Sequence, residues 1–404
     1  MTNPKLRFVQ EDGSAFPDWV CCKFRDVFAE RNETGKAGYD LLSVTANEGV
    51  IKQDNSSKRD TSSEDKSKYK VVHVEDIAYN TMRMWQGTCG VSKFMGIVSP
   101  AYTVVVPRQG VSKFFAYYFK TAGLKREFLK FSQGLTSDTL NLKYNNFSEI
   151  EAFLPRDEEQ VKLVEFFSAL DEKIALAERK LNALQTLKSG LIQKIFSREI
   201  RFKREDGSNF PDWTEVKMST MFNSIRNGFV GTIAPFYTTK ETGVRYLQGT
   251  NIHDGVISDD VEYYVTQEFN QAHRKNILKE DDILMVQSGH VGDCAVVGRY
   301  AGSNCHALIV MSNANSQKYS SDFVCYYFHS SKGRKNISLL EKGNTVKHVL
   351  ASDVAKLQML LPTIEEQKKV VSVLRQMDAK QALARQELNS LILQKQAFLQ
   401  QMFV

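Results

Sequence analysis

The stretch that decides the fold is "EDGSAFPDW", residues 11–19, because it returns as "EDGSNFPDW" at residues 205–213. Eight of the nine letters agree. In each copy the Asp-Gly and Pro-Asp pairs predict turns, since Gly accepts positive φ and Pro presets its own φ. Trp19 and Trp213 close the two copies, and a large ring beside a turn is typical of a packed side chain. The duplication predicts a chain made of two similar halves.

The halves also align beyond this opening. Five further pairs of segments match: "NEGVI" (47–51) with "HDGVI" (253–257), "GTCGV" (87–91) with "GHVGD" (289–293), "AYYF" (116–119) with "CYYF" (325–328), "LPRDEEQ" (154–160) with "LPTIEEQ" (361–367), and "LIQKIF" (191–196) with "FLQQMF" (398–403). The last two pairs share one offset, whereas the offset drifts through the earlier pairs. Each repeat therefore consists of a variable globular part followed by a helical part of constant length.

The globular parts show patterns of both strands and helices. Strands are predicted at "YTVVV" (102–106), "DDILMV" (281–286) and "HALIVM" (306–311), where short apolar runs alternate with turn residues. Helices are predicted at 112–131 and 321–330, where aromatic residues recur three and four apart. Each globular part is therefore expected to be a mixed α/β domain.

The tails carry a heptad pattern. Apolar residues recur at alternating steps of four and three from Leu163 to Ile195 and from Val370 to Met402, which is typical of a coiled-coil seam. Pro155 and Pro362 precede the two helices, and acidic residues follow in the first turn, as the helix dipole favours. A helix of about 40 residues is a rod of about 60 Å.

Lys188 and Lys395 interrupt the two seams at the same repeat position. Parallel pairing would place these like charges opposite each other in an apolar seam. Antiparallel pairing separates them, and each ammonium group is then expected to reach solvent along its aliphatic stem. We therefore predict an α+β fold, with two mixed α/β domains in tandem and two long helices that pair as an antiparallel coiled coil. The predicted segments are residues 1–154 (first domain), 155–198 (central helix), 199–361 (second domain) and 362–404 (distal helix).

The bulk composition is that of an ordinary globular protein. Hydrophobic residues make up 42% and charged residues 25% of the chain, and the formal net charge is +6. No apolar run approaches the roughly 18 residues that span a bilayer, and the first residues lack the apolar core of a signal peptide. The six Cys show no paired metal spacing. These features predict a cytoplasmic protein with reduced, mostly buried cysteines and no membrane partner.

Catalytic motifs are not evident in the sequence. There is no phosphate-binding glycine loop, and none of the seven His forms a zinc-type pair. Pro17-Asp18 with Glu64-Asp65-Lys66 fits a loose nuclease pattern, but the Pro-Asp pair already has a role in a turn. A nuclease with an unrecognised site stays open as one alternative, and a coiled-coil adaptor that binds only proteins as another.

Taken together, the tandem variable domains, the "LPxxEEQ" junctions and the approach "KGNTVKHVLASDVAKLQMLLP" (342–362) resemble the specificity subunits of type I restriction–modification systems. The resemblance implies that each variable part is a target recognition domain that reads one half of a split site on double-stranded DNA. It implies that the helices set the spacing and dock two modification subunits, which carry S-adenosylmethionine and methylate adenine. It also implies that restriction subunits, which translocate and cut DNA, join that core. This chain itself would then bind no cofactor or metal and hold no catalytic residue.

Polar and basic side chains near the glycine-bounded loops are candidates for DNA contact, since their groups match base edges or phosphates. Trp85 is a weaker candidate. The candidates are Lys58, Arg59, Arg83, Gln86 and Lys93 in the first half, and Gln248, Asn251, His253, Gln287, His290, Lys347 and His348 in the second.

Apolar residues beside the seam make each helical stripe wider than a two-stranded pair needs. A partner subunit is expected to cover them, and contact with the chain's own domains is the alternative, since wide stripes are also normal for globular helices. The predicted docking residues are Val164, Phe166, Leu187, Ile192, Val371, Val373 and Leu399.

Overall fold

The computed structural model describes residues 3–35, 38–46, 48–55, 60, 62–343 and 347–404. The chain divides into two compact units. Unit 1 comprises residues 1–179 and 385–404, and unit 2 comprises residues 180–384. None of the helices in the described part is long and apolar enough to cross a membrane.

Unit 1 combines short strands with four short helices, and one long helix begins in it. Its strands are β1 (Val20–Lys23), β2 (Phe28–Glu30), β3 (Leu42–Thr45), β4 (Gly49–Lys52), β5 (Lys70–Val72), β6 (Ile77–Asn80), β7 (Cys89–Val91), β8 (Gly96–Val98), β9 (Tyr102–Pro107) and β10 (Glu151–Leu154). Its helices are α1 (Phe24–Val27), α2 (Ser112–Tyr118), α3 (Ala122–Phe131), α4 (Tyr144–Phe147) and the start of α5 (Asp157–Phe196). The segment 112–131, predicted as helical, is thus divided in two, and Thr121 caps α3 by accepting a hydrogen bond from the Leu124 N–H.

Unit 2 likewise combines short strands with short helices and the start of a long helix. Its strands are β11 (Thr214–Lys217), β12 (Phe222–Asn227), β13 (Val244–Leu247), β14 (Ile252–His253), β15 (Val256–Ile257), β16 (Tyr264–Val265), β17 (Ile283–Val286), β18 (Cys294–Val296), β19 (Asn304–Cys305), β20 (Leu308–Asn313) and β21 (Gln358–Leu361). Its helices are α6 (Met218–Met221), α7 (Gln267–Ala272), α8 (Ser321–His329), α9 (Ser331–Ser338), α10 (Ala351–Val354) and the start of α11 (Ile364–Gln401). The three predicted strand segments lie on β9, β17 and β20.

The two units repeat the same sheet architecture. Unit 1 has a four-stranded sheet in the order β2-β9-β6-β7, and unit 2 has one in the order β12-β20-β17-β18. In both, the strand after the repeated opening pairs antiparallel with the strand before the long helix, as β1 with β10 and β11 with β21. The start and the end of each globular part are therefore joined by the same two-stranded sheet.

The two long helices run antiparallel, as the matched positions of Lys188 and Lys395 predicted. In unit 1 the ring of Phe166 on α5 lies 5.0 Å from that of Phe398 on α11, centroid to centroid. In unit 2 the side chain of Gln381 on α11 donates a hydrogen bond of 3.0 Å to the carbonyl of Leu184 on α5. In unit 1 the N-terminal half of α5 lies beside the C-terminal half of α11. In unit 2 the C-terminal half of α5 lies beside the N-terminal half of α11. Each unit thus contains a piece of both helices.

Candidate nucleic-acid interface and its supports

The repeated opening and the repeated "EEQ" meet in one buried contact in each unit. In unit 1 the indole of Trp19 donates a hydrogen bond of 3.1 Å to Glu159, and Arg7 donates to both oxygens of the same carboxylate at 3.0 and 2.7 Å. Glu159 is only 1% exposed. A charged group at this depth is stable only when its oxygens are paired. We call these three residues the junction cluster of unit 1.

Unit 2 repeats this arrangement. Trp213 donates to Glu366 at 3.2 Å, and Arg201 donates to its two oxygens at 3.1 and 2.8 Å. These residues form the junction cluster of unit 2. The sequence recurs because each unit needs the same buried ion pair and indole donor to join its first residues to its long helix.

The glutamine of each "EEQ" forms a hydrogen bond to the N-terminal capping residue of another helix, α2 in unit 1 and α8 in unit 2. The amide oxygen of Gln160 accepts a hydrogen bond of 2.9 Å from the N–H of Val111, the residue that caps α2. The amide oxygen of Gln367 accepts one of 2.8 Å from Ser320, which caps α8. Both side chains also donate to the carbonyl of the preceding proline, Pro155 or Pro362. The junction therefore sets the position of α2 in unit 1 and of α8 in unit 2.

The lysines that interrupt the seams have specific partners. In unit 2 the ammonium group of Lys188 binds Asp378, which also accepts a hydrogen bond from Tyr326. In unit 1 Lys395 binds Asp171, and Tyr117 donates to that carboxylate at 2.6 Å. Both lysines stay partly exposed, with 15% and 24% of their side chains accessible, and an aspartate on the opposite helix, which was not predicted from the sequence, binds each ammonium group. The antiparallel direction brings these opposite charges together.

Five of the seven DNA-contact candidates of unit 2 lie on one surface, which we call the histidine patch. It consists of His253, Gln287, His290, Lys347 and His348. The rings of His253 and His290 are 6.2 Å apart, centroid to centroid. A β-bridge between Ser288 and His348, with a hydrogen bond from the Val349 N–H to the Gln287 carbonyl, joins the two loops. Gly289 and Gly292 adopt φ of 84° and 85°, which lets the loop turn between them.

The two remaining candidates of unit 2 have structural roles. Asn251 is 1% exposed. Its amide oxygen accepts from the Gln248 N–H at 2.9 Å, and its amide nitrogen donates to the carbonyls of Ser258 and Val261. The prediction that Asn251 contacts DNA is therefore wrong, since this side chain is consumed in holding its loop. Gln248 is half-buried, and its side chain donates to the Tyr237 hydroxyl at 2.8 Å.

In unit 1 the candidates are more dispersed. Arg83 precedes a short 3-10 turn that ends at Gln86, and the Arg83 guanidinium lies 3.8 Å from the Asp138 carboxylate. Lys93 is exposed and lines a cavity of about 520 Å³ together with Lys113 and Lys120. Lys58 and Arg59 lie outside the described residues.

The carboxylates of the loose nuclease pattern make local contacts. Asp18 accepts a hydrogen bond from the Asn3 amide, and Asp65 accepts one from the Ser67 N–H.

Most of the predicted docking residues pack against the chain itself. Ile192 and Val371 are buried in the core of unit 2, and Val164, Phe166 and Leu399 pack on the core of unit 1. For Ile192 and Val371 the docking prediction is wrong, because their own unit covers them. Val373 is half-buried, and Leu187 is 60% exposed. Of the predicted docking residues, Leu187 is thus the one most exposed to a partner subunit.

Sequence reasoning missed Arg7, Arg201, Asp171 and Asp378. The signal was present, since Arg7 and Arg201 stand four residues before the two copies of the opening. Asp171 and Asp378 likewise occupy one position of the helical repeat. A polar pair at matched repeat positions points to a shared internal contact, and extending the alignment in both directions would have found it.

Comparisons with known proteins agree with this architecture. The family described as "Type I restriction modification DNA specificity domain" matches residues 22–186 and again residues 212–393. The chain is 23% identical over 320 residues to the type I restriction enzyme MjaVIII specificity subunit of Methanocaldococcus jannaschii, covering 76% of this chain and 73% of that protein. It is 26% identical over 241 residues to the putative type I restriction enzyme MjaX specificity subunit of the same organism, covering 56% and 52%.

Two solved structures share the fold. The crystal structure of the type I restriction–modification S subunit from M. genitalium matches with a TM-score of 0.57 at 13% identity, over 100% of this chain and 99% of that one. A chain from a study of complex assembly and conformational transition in the type I system matches with a TM-score of 0.59 at 16% identity, over 95% and 97%.

Proposed function

The chain belongs to the type I restriction–modification DNA specificity family, and from that membership we propose that it reads a two-part DNA sequence on behalf of subunits that carry the chemistry. Unit 1 would read one half-site and unit 2 the other. The antiparallel helices would fix the unread gap between them. The chain itself would contribute recognition and assembly and no bond-making step.

The observation that carries this proposal is the duplication of the supports. Both units close with the same junction cluster and the same Lys–Asp–Tyr contacts, whereas the candidate DNA surfaces differ between them. An identical scaffold with different reading surfaces is what recognition of two different half-sites requires. Split-site reading also needs a spacer comparable to one helical turn of DNA, about 34 Å, and helices of 40 and 38 residues exceed that at 1.5 Å per residue.

The partners follow from the same proposal. Two modification subunits would dock on the helices and hold S-adenosylmethionine, which supplies the methyl group for adenine. Restriction subunits would join that assembly. The role of this chain is to place the modification subunits over the target adenines, so its own residues position DNA and partner without taking part in methyl transfer.

The test is methylation mapping of the reconstituted complex. The chain, co-purified with its modification subunits and supplied with S-adenosylmethionine, is expected to methylate adenine in one two-part motif. His290→Ala is expected to relax the bases in one half of that motif, and Arg83→Ala to relax or weaken only the other half. If both variants altered the same half, the assignment of one half-site to each unit would fail.

Two control experiments separate the alternatives. A nuclease would cleave DNA when the isolated chain is incubated with Mg²⁺, and cleavage that disappears on removing the metal would contradict the proposal. A protein-only adaptor would leave the complex with no salt-sensitive retention of DNA. We expect affinity to fall steeply with salt, as phosphate contacts require.

A further inference from the structure

Unit 2 contains a cluster of two cysteines and a histidine that DNA reading does not use. Cys294 lies on β18, and Cys325 and His329 lie one turn apart on α8. The Sγ atoms of Cys294 and Cys325 are 3.2 Å apart, and Nε2 of His329 is 3.8 Å from Sγ of Cys294. All three ligand-type atoms lie within 4.8 Å of one another. Both cysteines are buried and free.

Unit 1 offers an internal comparison. Ile77 faces Val91 on β6 and β7, and Ile283 faces Val296 on β17 and β18, so Cys89 and Cys294 occupy the same sheet position. The segment "CYYF", which begins at Cys325, is "AYYF" in unit 1, where Ala116 stands instead. Unit 1 therefore keeps one cysteine without its partner, and the pair is particular to unit 2.

The surroundings of the pair favour a thiolate on Cys294. The thiol of Cys325 donates to Sγ of Cys294, and Nε2 of His329 faces the same sulfur. Burial opposes that charge, yet the hydrogen bonds from Cys325 and from Nε2 of His329 lower the pKa of Cys294. At the matched position of unit 1, burial raises the pKa of Cys89 to about 11. The pKa values of the two equivalent cysteines are thus shifted in opposite directions by their surroundings.

Arg334 argues against a bound metal ion at this cluster. Its guanidinium donates to Nδ1 of His329 at 3.2 Å and to Asp293 at 2.6 Å. Because arginine only donates, the proton of a neutral His329 ring lies on Nε2, the nitrogen that faces the sulfur. Nε2 donates to the Cys294 carbonyl at 3.1 Å. A metal would need that nitrogen unprotonated, with the other nitrogen donating to an acceptor.

We propose that Cys294 and Cys325 form a peroxide-sensitive pair that closes reversibly to a disulfide between β18 and α8. A cavity of about 290 Å³ has Cys325 and His329 in its wall, and Sγ of the fully buried Cys294 lies 3.2 Å from Sγ of Cys325, so hydrogen peroxide would approach Cys294 from the side of Cys325. A closely spaced pair of free thiols can close to a disulfide and reopen by reduction.

The reaction balances with hydrogen peroxide as the oxidant. The Cys294 thiolate attacks one peroxide oxygen, an S–O bond forms, the O–O bond breaks and hydroxide leaves. That hydroxide takes the proton of Cys325. The new Cys325 thiolate attacks the sulfenic sulfur, the S–S bond forms as the S–O bond breaks, and the hydroxide that leaves takes up the proton that Cys294 had released to solvent. In total, two thiols and one peroxide give one disulfide and two waters.

The test uses the full chain under native conditions. The reduced protein is treated with hydrogen peroxide, free thiols are blocked with N-ethylmaleimide after unfolding, and peptides are identified by mass spectrometry. We expect a Cys294–Cys325 linked peptide that dithiothreitol removes, while Cys89 is recovered as the blocked free thiol. If both cysteines stay free at a peroxide dose that oxidises the exposed Cys21, the proposal is wrong.

Two variants sharpen the result. Cys325→Ala restores the residue that unit 1 has at this position, so the fold is expected to tolerate it, and a sulfenic acid on Cys294 should then be trapped by dimedone. His329→Gln is expected to slow oxidation by on the order of tenfold, since the thiolate fraction falls tenfold for each pKa unit gained. Metal analysis of the purified chain is the last arm. Zinc present at one ion per chain, with thiols that react only after chelation, would overturn the redox pair.

Discussion

The ammonium group of Lys188 on α5 pairs with the carboxylate of Asp378 on α11, where an all-apolar seam would be the simpler solution. Lys395 and Asp171 make the same contact in unit 1. Each pair joins the two helices, and each forms only when they run antiparallel in this register. The pairs therefore select one alignment of a heptad seam that hydrophobic contacts alone would leave less defined.

Removing one member of such a pair is expected to be costly. Asp378→Ala leaves the Lys188 ammonium, whose side chain is 15% exposed, without its partner, and we expect a loss of about 2–3 kcal/mol of unfolding free energy, measured by urea denaturation. The double variant Lys188→Met, Asp378→Ala removes both charges and is expected to recover most of that loss. Equal instability of the single and double variants would show that the unpaired charge is not the cause.

The junction clusters predict a second stability effect. Glu366→Ala leaves Arg201 and the Trp213 indole without their acceptor, and we expect a cost of about 3 kcal/mol. Glu366→Gln keeps an acceptor and loses the charge, so its cost is expected to be intermediate. Glu159→Ala is the matched variant in unit 1 and should perturb Trp19 in place of Trp213. Urea midpoints followed by tryptophan fluorescence give the order, and a neutral Glu366→Ala would contradict a structural role for the cluster.

Leu187 gives a test of docking that does not damage the core. Leu187→Asp is expected to weaken assembly with the modification subunits by about tenfold or more while the chain keeps its thermal midpoint, because the side chain is exposed. Glu178, exposed on the same helix, supplies the control Glu178→Gln, which should assemble normally. Assembly can be followed by analytical ultracentrifugation. Unchanged assembly of Leu187→Asp would place the docking surface elsewhere.

Spacer length offers a test of the gap between half-sites. One heptad inserted after Arg179 and another after Ala384 keep the seam in phase and add about 10 Å, the rise of about three base pairs. We expect the methylated motif to keep both half-sites and to gain about three unread positions. A four-residue insertion in α5 alone shifts Lys188 from Asp378 and should instead destabilise the chain. Altered half-site letters with an unchanged gap would contradict the spacer.

The repeat also predicts the behaviour of a half chain. In unit 1 Phe403 packs against Trp19, Phe114 and Tyr118, and in unit 2 Phe196 packs against the equivalent Trp213, Phe323 and Tyr327. A fragment of residues 1–199 is therefore expected to form a homodimer. In it, Phe196 of each copy fills the slot between Trp19, Phe114 and Tyr118 of the other copy, where Phe403 packs in the full chain. With modification subunits it should methylate a palindromic split site. Sedimentation and methylation mapping check this, and a monomer or a direct-repeat motif would refute it.

The periodic parts of the molecule could be predicted from the sequence, and the side-chain partners could not. Heptad spacing predicted two long helices, and the matched positions of Lys188 and Lys395 predicted their antiparallel direction, because period and repetition are properties of the chain alone. The partner of Lys188 depends on how two distant segments pack, and the repeat marks Asp378 only as the match of Asp171, without showing which side chain either aspartate binds. Asn251 looked like a base reader because amides suit adenine, yet a buried loop needs amides as well. The Cys294 cluster escaped notice because its members are distant in sequence and meet only when β18 packs on α8.

The packing of Phe403 in unit 1 has a consequence for synthesis. The ribosome makes Trp19, Phe114 and Tyr118 early, but the ring that fills their slot arrives about 200 residues after Phe196, some 10–40 s later at ordinary rates of translation. During that interval the nascent chain carries an open aromatic slot and, in Phe196, a side chain of the type that fits it. Two nascent chains on one polysome can then pair before either is finished, with Phe196 of each chain packed against Trp19, Phe114 and Tyr118 of the other. Slow translation of unit 2 should favour such mixed dimers, and co-synthesis of a chaperone that shields the slot should suppress them.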